Sequence, residues 1–218
     1  MTRTITVKGI GGISAKPDYI ELTLSVDATE KDYEKAMENA AERIALLEKA
    51  VEGTGFEKGA LKTLCFKVDT HEEQIKDQDG HYRWIFAGYC CTYRFQLGFD
   101  FDSGRLADVL SAVTDSGAKP ELKISFTVKD PTQINEALLM NAAANARKKA
   151  ELLCHAAGAE LGRLCSINYN WSELTIVSPT SYEADAGMPM APACRCAPEI
   201  SPEDINLHDT AVFVWEIM

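Results

Sequence analysis

The chain has 218 residues, of which 46% are hydrophobic and 25% charged. That is the composition of a folded globular protein and excludes a disordered one. Its formal net charge is −11, from 22 basic and 33 acidic residues, and the resulting field repels polyanions, so nucleic acid and anionic membranes are excluded as main partners.

The predicted elements follow from the N-terminus. Met1-Thr2-Arg3 leads directly into a strand over Thr4 to Gly9, with no apolar leader, so a cytoplasmic location is expected. Gly9-Ile10-Gly11-Gly12 resembles a phosphate-cradling loop. It is followed by a second strand and not by a helix, which leaves no helix N-terminus to hold an anion. The reading is a turn or bulge that needs glycine torsions, running through Lys16-Pro17-Asp18. The second strand, Tyr19 to Asp27, alternates Ile20, Leu22, Leu24 and Val26 against Glu21, Thr23, Ser25 and Asp27, the pattern of a half-buried strand. A first helix follows, with Thr29 and Asp32 as a capping pair and Tyr33, Met37, Ala40, Ile44, Leu47 and Val51 as its apolar stripe.

Two long strands, Leu61 to Gln74 and Tyr82 to Phe99, flank the polar turn Asp77-Gln78-Asp79-Gly80. A hairpin of that length is expected to protrude beyond the core as an arm. Asp102 or Ser103 caps a short helix carrying Leu106, Val109, Leu110 and Val113. Glu121 to Val128 is another alternating strand. Asp130-Pro131 opens a long helix, with Gln133 as the capping-box partner of Asp130. Ala142, Ala146 and Ala150 share one face of this helix, which stops near Gly158. The compact basic cluster Arg147-Lys148-Lys149 reads as a solvated helix surface. Strands are expected over Arg163 to Trp171 and Thr210 to Ile217, and no run reaches transmembrane length. Between them, residues 178–202 hold five prolines and no periodicity, and read as an irregular insert loop.

The order is ββαββαβαββ. It specifies an α+β fold: mainly antiparallel sheet covered by amphipathic helices, with a long protruding β-hairpin.

Chemistry is sparse in this chain. His71 and His81 flank the hairpin turn and could approach one another across it, while His155 and His208 stand apart. None of the common catalytic motifs occurs. The seven cysteines have no disulfide spacing; Cys65, Cys90, Cys91 and Cys154 read as buried thiols in a reducing interior. Cys194-Arg195-Cys196, with Met188 and Met190 close by, is the one chemically suggestive cluster. Its soft donors suit Cu(I), or Zn through the thiolates, and two such thiols could act as a redox pair.

The succession of motifs resembles the SIMPL-domain family, the bacterial domain of unknown function found in periplasmic immunogenic proteins. The matching residues are Val7-x-Gly9-x-Gly11 with Pro17-Asp18, then Gly88-Tyr89, and Phe126 with Asp130. They continue in the helix Glu136-Ala137, Ala142, Ala146-Arg147-x-Lys149-Ala150, and end with Gly158 and Leu161-Gly162. The resemblance spans nearly the whole of 1–218 and implies a single domain, or two intertwined subdomains. It also implies an oligomeric protein linked to stress tolerance, and assigns no catalytic residues. The expected function is that of a non-enzymatic homo-oligomeric scaffold with no cofactor. The alternative is a metal-binding or redox module built on Cys194 and Cys196.

Overall fold

The structure is a computed structural model that describes residues 3–76, 81–169, 174–184 and 200–218. It is α+β with antiparallel sheets. Its elements are β1 (Thr4–Ala15), β2 (Tyr19–Glu30), α1 (Tyr33–Gly53), β3 (Lys62–Lys76), β4 (Tyr82–Asp100), α2 (Ser103–Asp115), β5 (Glu121–Thr127), α3 (Thr132–Ala156), β6 (Leu161–Asn168), β7 (Val177–Ala184) and β8 (Ile205–Ile217). The strands form one five-stranded sheet, in the order β3-β4-β2-β5-β7, and one three-stranded sheet, β1-β8-β6.

The expected order therefore gains one strand, β7. It takes up residues 178–184, which the sequence pattern assigns to the insert loop, Pro179 among them. Proline lacks an N–H for a ladder, and β7 lies at a sheet edge, where that donor is not required. The turn 77–80 and residues 185–199 of the insert lie outside the described residues.

The chain divides into two compact units. The larger comprises Tyr19–Phe126 and Thr180–Ser201. Its core forms where the apolar alternation of β2 meets that of its neighbours. Ile20, Leu22, Leu24 and Val26 are fully buried with Phe95, Leu97, Leu122, Ile124 and Phe126, under Leu47 and Val51 of α1 and Leu106, Val109 and Val113 of α2. The α1 stripe holds from Met37 to Val51 and departs only in its first turn, where Ala36 is buried and Tyr33 is half exposed. Small Ala28, Ala36 and Ala40 meet Cys91 at that end, which lets the helix sit close to the sheet. Asp32 stands at the N-cap of α1 without a side-chain cap bond, so the expected capping pair does not form. Asp102 does cap α2, accepting from the Arg105 N–H at 3.0 Å. Arg43 of α1 donates to the carbonyls of Ala118, Lys119 and Asp27, tying the loop before β5 to the end of β2.

The smaller unit comprises residues 1–18, 127–179 and 202–218. Here β1 is much longer than expected, and its glycines lie within the strand, paired residue by residue with β8. Neither Gly9 nor Gly11 has a positive φ, so the expected glycine torsions are absent. The reason for glycine is proximity. A Cβ on Gly9 would lie 2.1 Å from the Ala142 carbonyl oxygen, and one on Gly11 would lie 2.0 Å from that of Leu138. The backbone of α3 thus rests directly on the backbone of β1. Ala142, Ala146 and Ala150 supply the matching helix face and are fully buried, with Val7, Phe213 and Trp215 beside them. Asp130 accepts from the Thr132 N–H at 2.9 Å in place of the expected capping box with Gln133, and the Thr132 side chain, together with this N–H, holds its carboxyl below the usual range. Gly158, at φ 70°, follows the end of α3 as expected.

Candidate interaction surface

Sheet edges and uncovered apolar faces are where such a fold meets partners, because both leave groups unsatisfied. The outer edge of β1 is closed by its own helix. Asn141, Asn145 and Lys149 recur every fourth residue along α3, beside the alanine row. Asn141 donates to the Gly12 carbonyl at 3.0 Å, Asn145 accepts from the Ile10 N–H at 3.1 Å, and Lys149 donates to the Lys8 carbonyl at 3.2 Å. The basic cluster is divided accordingly: Lys149 serves this edge, while Arg147 pairs with Glu151 four residues on.

The edge formed by β3 is different. It is terminal in its sheet, and no other described strand pairs with its outer side. Nearly all of its 15 residues are exposed. On its inner side it pairs with β4 along the full length of the hairpin. β2 pairs with β4 only as far as the Glu30–Tyr89 pair. Beyond Tyr89, β3 and β4 continue alone as a two-stranded arm. A bulge marks the departure point. His71 faces Gly88 and Glu72 faces Phe86, which leaves Ala87 unpaired. Gly88 has φ 153°, and a Cβ there would lie 2.3 Å from the Glu30 carbonyl oxygen. The bulge thus bends the strand where only glycine fits.

The bulge also decides which face the arm presents. Alternation puts Tyr82, Trp84 and Phe86 on one side of the arm. The extra residue shifts the phase, so this row joins Tyr89, Cys91, Tyr93 and Phe95, the row that faces α1. The Phe86 ring lies 5.3 Å from that of Tyr89, and Tyr89 meets Tyr33 of α1 edge-on at 5.8 Å. Phe66 of β3 stacks on Tyr93 at 4.4 Å. One aromatic row therefore starts in the core, passes the N-terminus of α1 and runs onto the arm. There Phe86 is 55%, Trp84 65% and Tyr82 65% exposed. Tyr89 and Tyr93 are partly covered by these neighbours.

The opposite face of the large sheet is polar. A groove of about 480 Å³ lies there among Thr23, Ser25, Leu64, Arg94, Glu121 and Lys123. Lys123 is held by Glu183 at 2.7 Å. The groove offers an even mixture of charges and no cysteine or histidine.

The other predicted site residues fall as follows. Cys194 and Cys196 lie outside the described residues. Cys91 and Cys154 are buried as expected, and burial raises the Cys91 thiol pKa. Cys65 is exposed and Cys90 half-buried, contrary to expectation, because β3 is an edge and because Cys90 points to the polar face. His71 pairs with Gly88 across the hairpin, well before the strand ends at Lys76, so the register does not set it opposite His81. Among the described residues, no group of three or more His, Cys, Asp or Glu side chains is placed to hold a metal, and no helix is long and apolar enough to cross a membrane.

Residues 5–215 match the model of the SIMPL family, described as proteins of unknown function (DUF541). The chain belongs to that family. No curated protein matches it.

Proposed function

We propose that this SIMPL-family chain is a non-enzymatic assembly protein that acts as a homo-oligomer, with the β3–β4 arm as its contact element. The observation that carries this reading is the aromatic row. Phe86, Trp84 and Tyr82 extend the buried face of the large sheet past the helix that covers it. Three adjacent exposed aromatics on a two-stranded ribbon are unfavourable in water, and a two-stranded ribbon is marginally stable alone. A partner that covers the row relieves both conditions.

Light scattering over a wide concentration range is expected to give a mass above that of the 24.0 kDa chain. Replacing Trp84 and Phe86 together by serine is expected to lower that mass without altering the fold, since both side chains lie outside the packed core. A monomer mass for the unaltered chain at every concentration would sink the proposal.

A second reading rests on the sequence pair Cys194 and Cys196, two thiols separated by one residue. It treats the 185–199 segment as a Cu(I) or Zn ligand, or as a redox pair. Stoichiometric metal uptake that disappears in a Cys194→Ser/Cys196→Ser variant is the expected result. Equal uptake by both proteins would rule it out.

A further inference from the structure

We propose that the outer edge of β3 is a contact between two copies of this chain, which pair antiparallel and in register about Val68. The inference rests on the oligomeric reading above and gives that assembly a specific joint.

Three observations select this edge and this register. First, β3 is a long open edge, whereas Asn141, Asn145 and Lys149 close the edge of β1, β7 is short and carries Pro179, and β6, the remaining terminal strand, has only eight residues and an irregular ladder to β8. β3 holds no proline; it does carry Lys67, Asp69 and other charges, a second way of guarding an edge, and these are the groups whose pairing between copies would set the register.

Second, two irregularities divide the ladder of β3 and leave its longest regular stretch in the middle. The ladder to β4 is irregular between Thr63 and Cys65, and again between His71 and Glu72. The longest uninterrupted stretch is Cys65 to His71, and Val68 is its central residue. A two-fold axis at Val68 therefore uses the whole of that stretch in both copies.

Third, the segment is self-complementary about that axis. A two-fold axis perpendicular to the sheet keeps the helix-covered faces of both copies on the same side, and it sets each residue opposite its mirror in the segment. Lys67 then faces Asp69 of the second copy, and Asp69 faces Lys67, on the polar side. Both side chains are more than half exposed. On the aromatic side Val68 meets Val68, and the half-exposed Phe66 meets Thr70. Shifting the axis by one residue sets Lys67 against Lys67, or Asp69 against Asp69. Like charges directly opposite are unfavourable, so the neighbouring registers are disfavoured.

The test uses Lys67→Glu and Asp69→Lys separately and then mixed, with association followed by analytical ultracentrifugation. In Lys67→Glu alone, both cross-copy pairs become carboxylate against carboxylate. In Asp69→Lys alone, both become ammonium against ammonium. Each is expected to weaken association roughly tenfold, since two favourable pairs are replaced by two unfavourable ones. An equimolar mixture is expected to recover wild-type association. The carboxylate introduced at position 67 of one chain then faces the ammonium introduced at position 69 of the other, and the retained Asp69 faces the retained Lys67.

The wild-type Lys67–Asp69 contact within one chain, at 2.9 Å, is lost in both variants, and mixing cannot restore it. Recovery on mixing therefore reports the contact between copies alone. If the wild-type chain associates and the mixture is no tighter than its components, pairing through β3 is overturned while the oligomeric reading stands. If the wild-type chain is monomeric at all concentrations, both are overturned.

Discussion

Gly11→Ala is expected to destabilise the protein by about 3 kcal/mol or more, above the usual cost of one added methyl group in a core. The added Cβ would lie 2.0 Å from the Leu138 carbonyl oxygen and 2.9 Å from its carbonyl carbon. These are backbone atoms inside α3, so no rotamer change relieves the clash, and the helix must move off the strand. Moving it would withdraw Leu138, Ala142 and Ala146 from their buried positions and pull Asn141 and Asn145 from the β1 edge. Gly9→Ala is expected to behave similarly, with its Cβ 2.1 Å from the Ala142 carbonyl oxygen.

Gly12→Ala is the internal control. Its nearest neighbour is the His208 ring at 3.1 Å, an exposed side chain that can turn away. A change within about 0.5 kcal/mol is expected there, as at ordinary surface positions. Denaturant midpoints for the three variants decide the matter. Equal, small effects at all three would mean that α3 does not rest on β1.

These glycines also show where the sequence was legible. The apolar alternation predicts the buried face of β2 residue for residue, and that of β5 up to Phe126, because a one-sided strand writes its orientation into a two-residue period; past Phe126 the pattern breaks, with Thr127 buried and Val128 half-buried. The helix α2 and its Asp102 cap were legible for a similar local reason. The glycine run was not. Glycine has no side chain to mark a face, so a strand that holds glycine for close approach looks like a turn. The missing signal was on another element. Asn141, Asn145 and Lys149 alternate with Ala142, Ala146 and Ala150 at four-residue spacing, a polar row beside a small-residue row. Together they describe a helix that lies on glycine and reaches over its edge.

The interaction surface was legible in its composition and not in its geometry. The length of the hairpin and its aromatics are plain in the sequence. Alternation alone, however, puts Trp84 and Phe86 on the opposite face from Tyr89 and Tyr93. Only the bulge at Ala87 brings them into one row, and a single unpaired residue is defined by the partner strand as much as by its own neighbours. The self-complementary pair Lys67 and Asp69 was equally hidden, since its meaning depends on β3 being an edge. In the proposed assembly the two features would divide the work. The β3 edge would supply charge register, and the arm beyond the bulge would supply apolar area.

Ala146→Leu carries the second large effect and tests the same interface from the helix side. Ala146 is fully buried, and its Cβ would lie 2.8 Å from one built on Gly9. Leucine is a good helix former, so on a solvent face the change would be nearly neutral. Ala144, two residues away and exposed, provides that comparison. At Ala146 the added volume has no space, and a loss of about 1–3 kcal/mol is expected, occasionally more. An unchanged midpoint would mean that the alanine row is turned away from the sheet. A double variant sharpens the argument. If Gly9 were required only to avoid the Ala146 methyl group, then Ala146→Gly would rescue Gly9→Ala. The Ala142 carbonyl oxygen would still lie 2.1 Å from the new Cβ, so no rescue is expected. That outcome would identify the contact as one between two backbones, which no exchange of side-chain volume across the interface can repair.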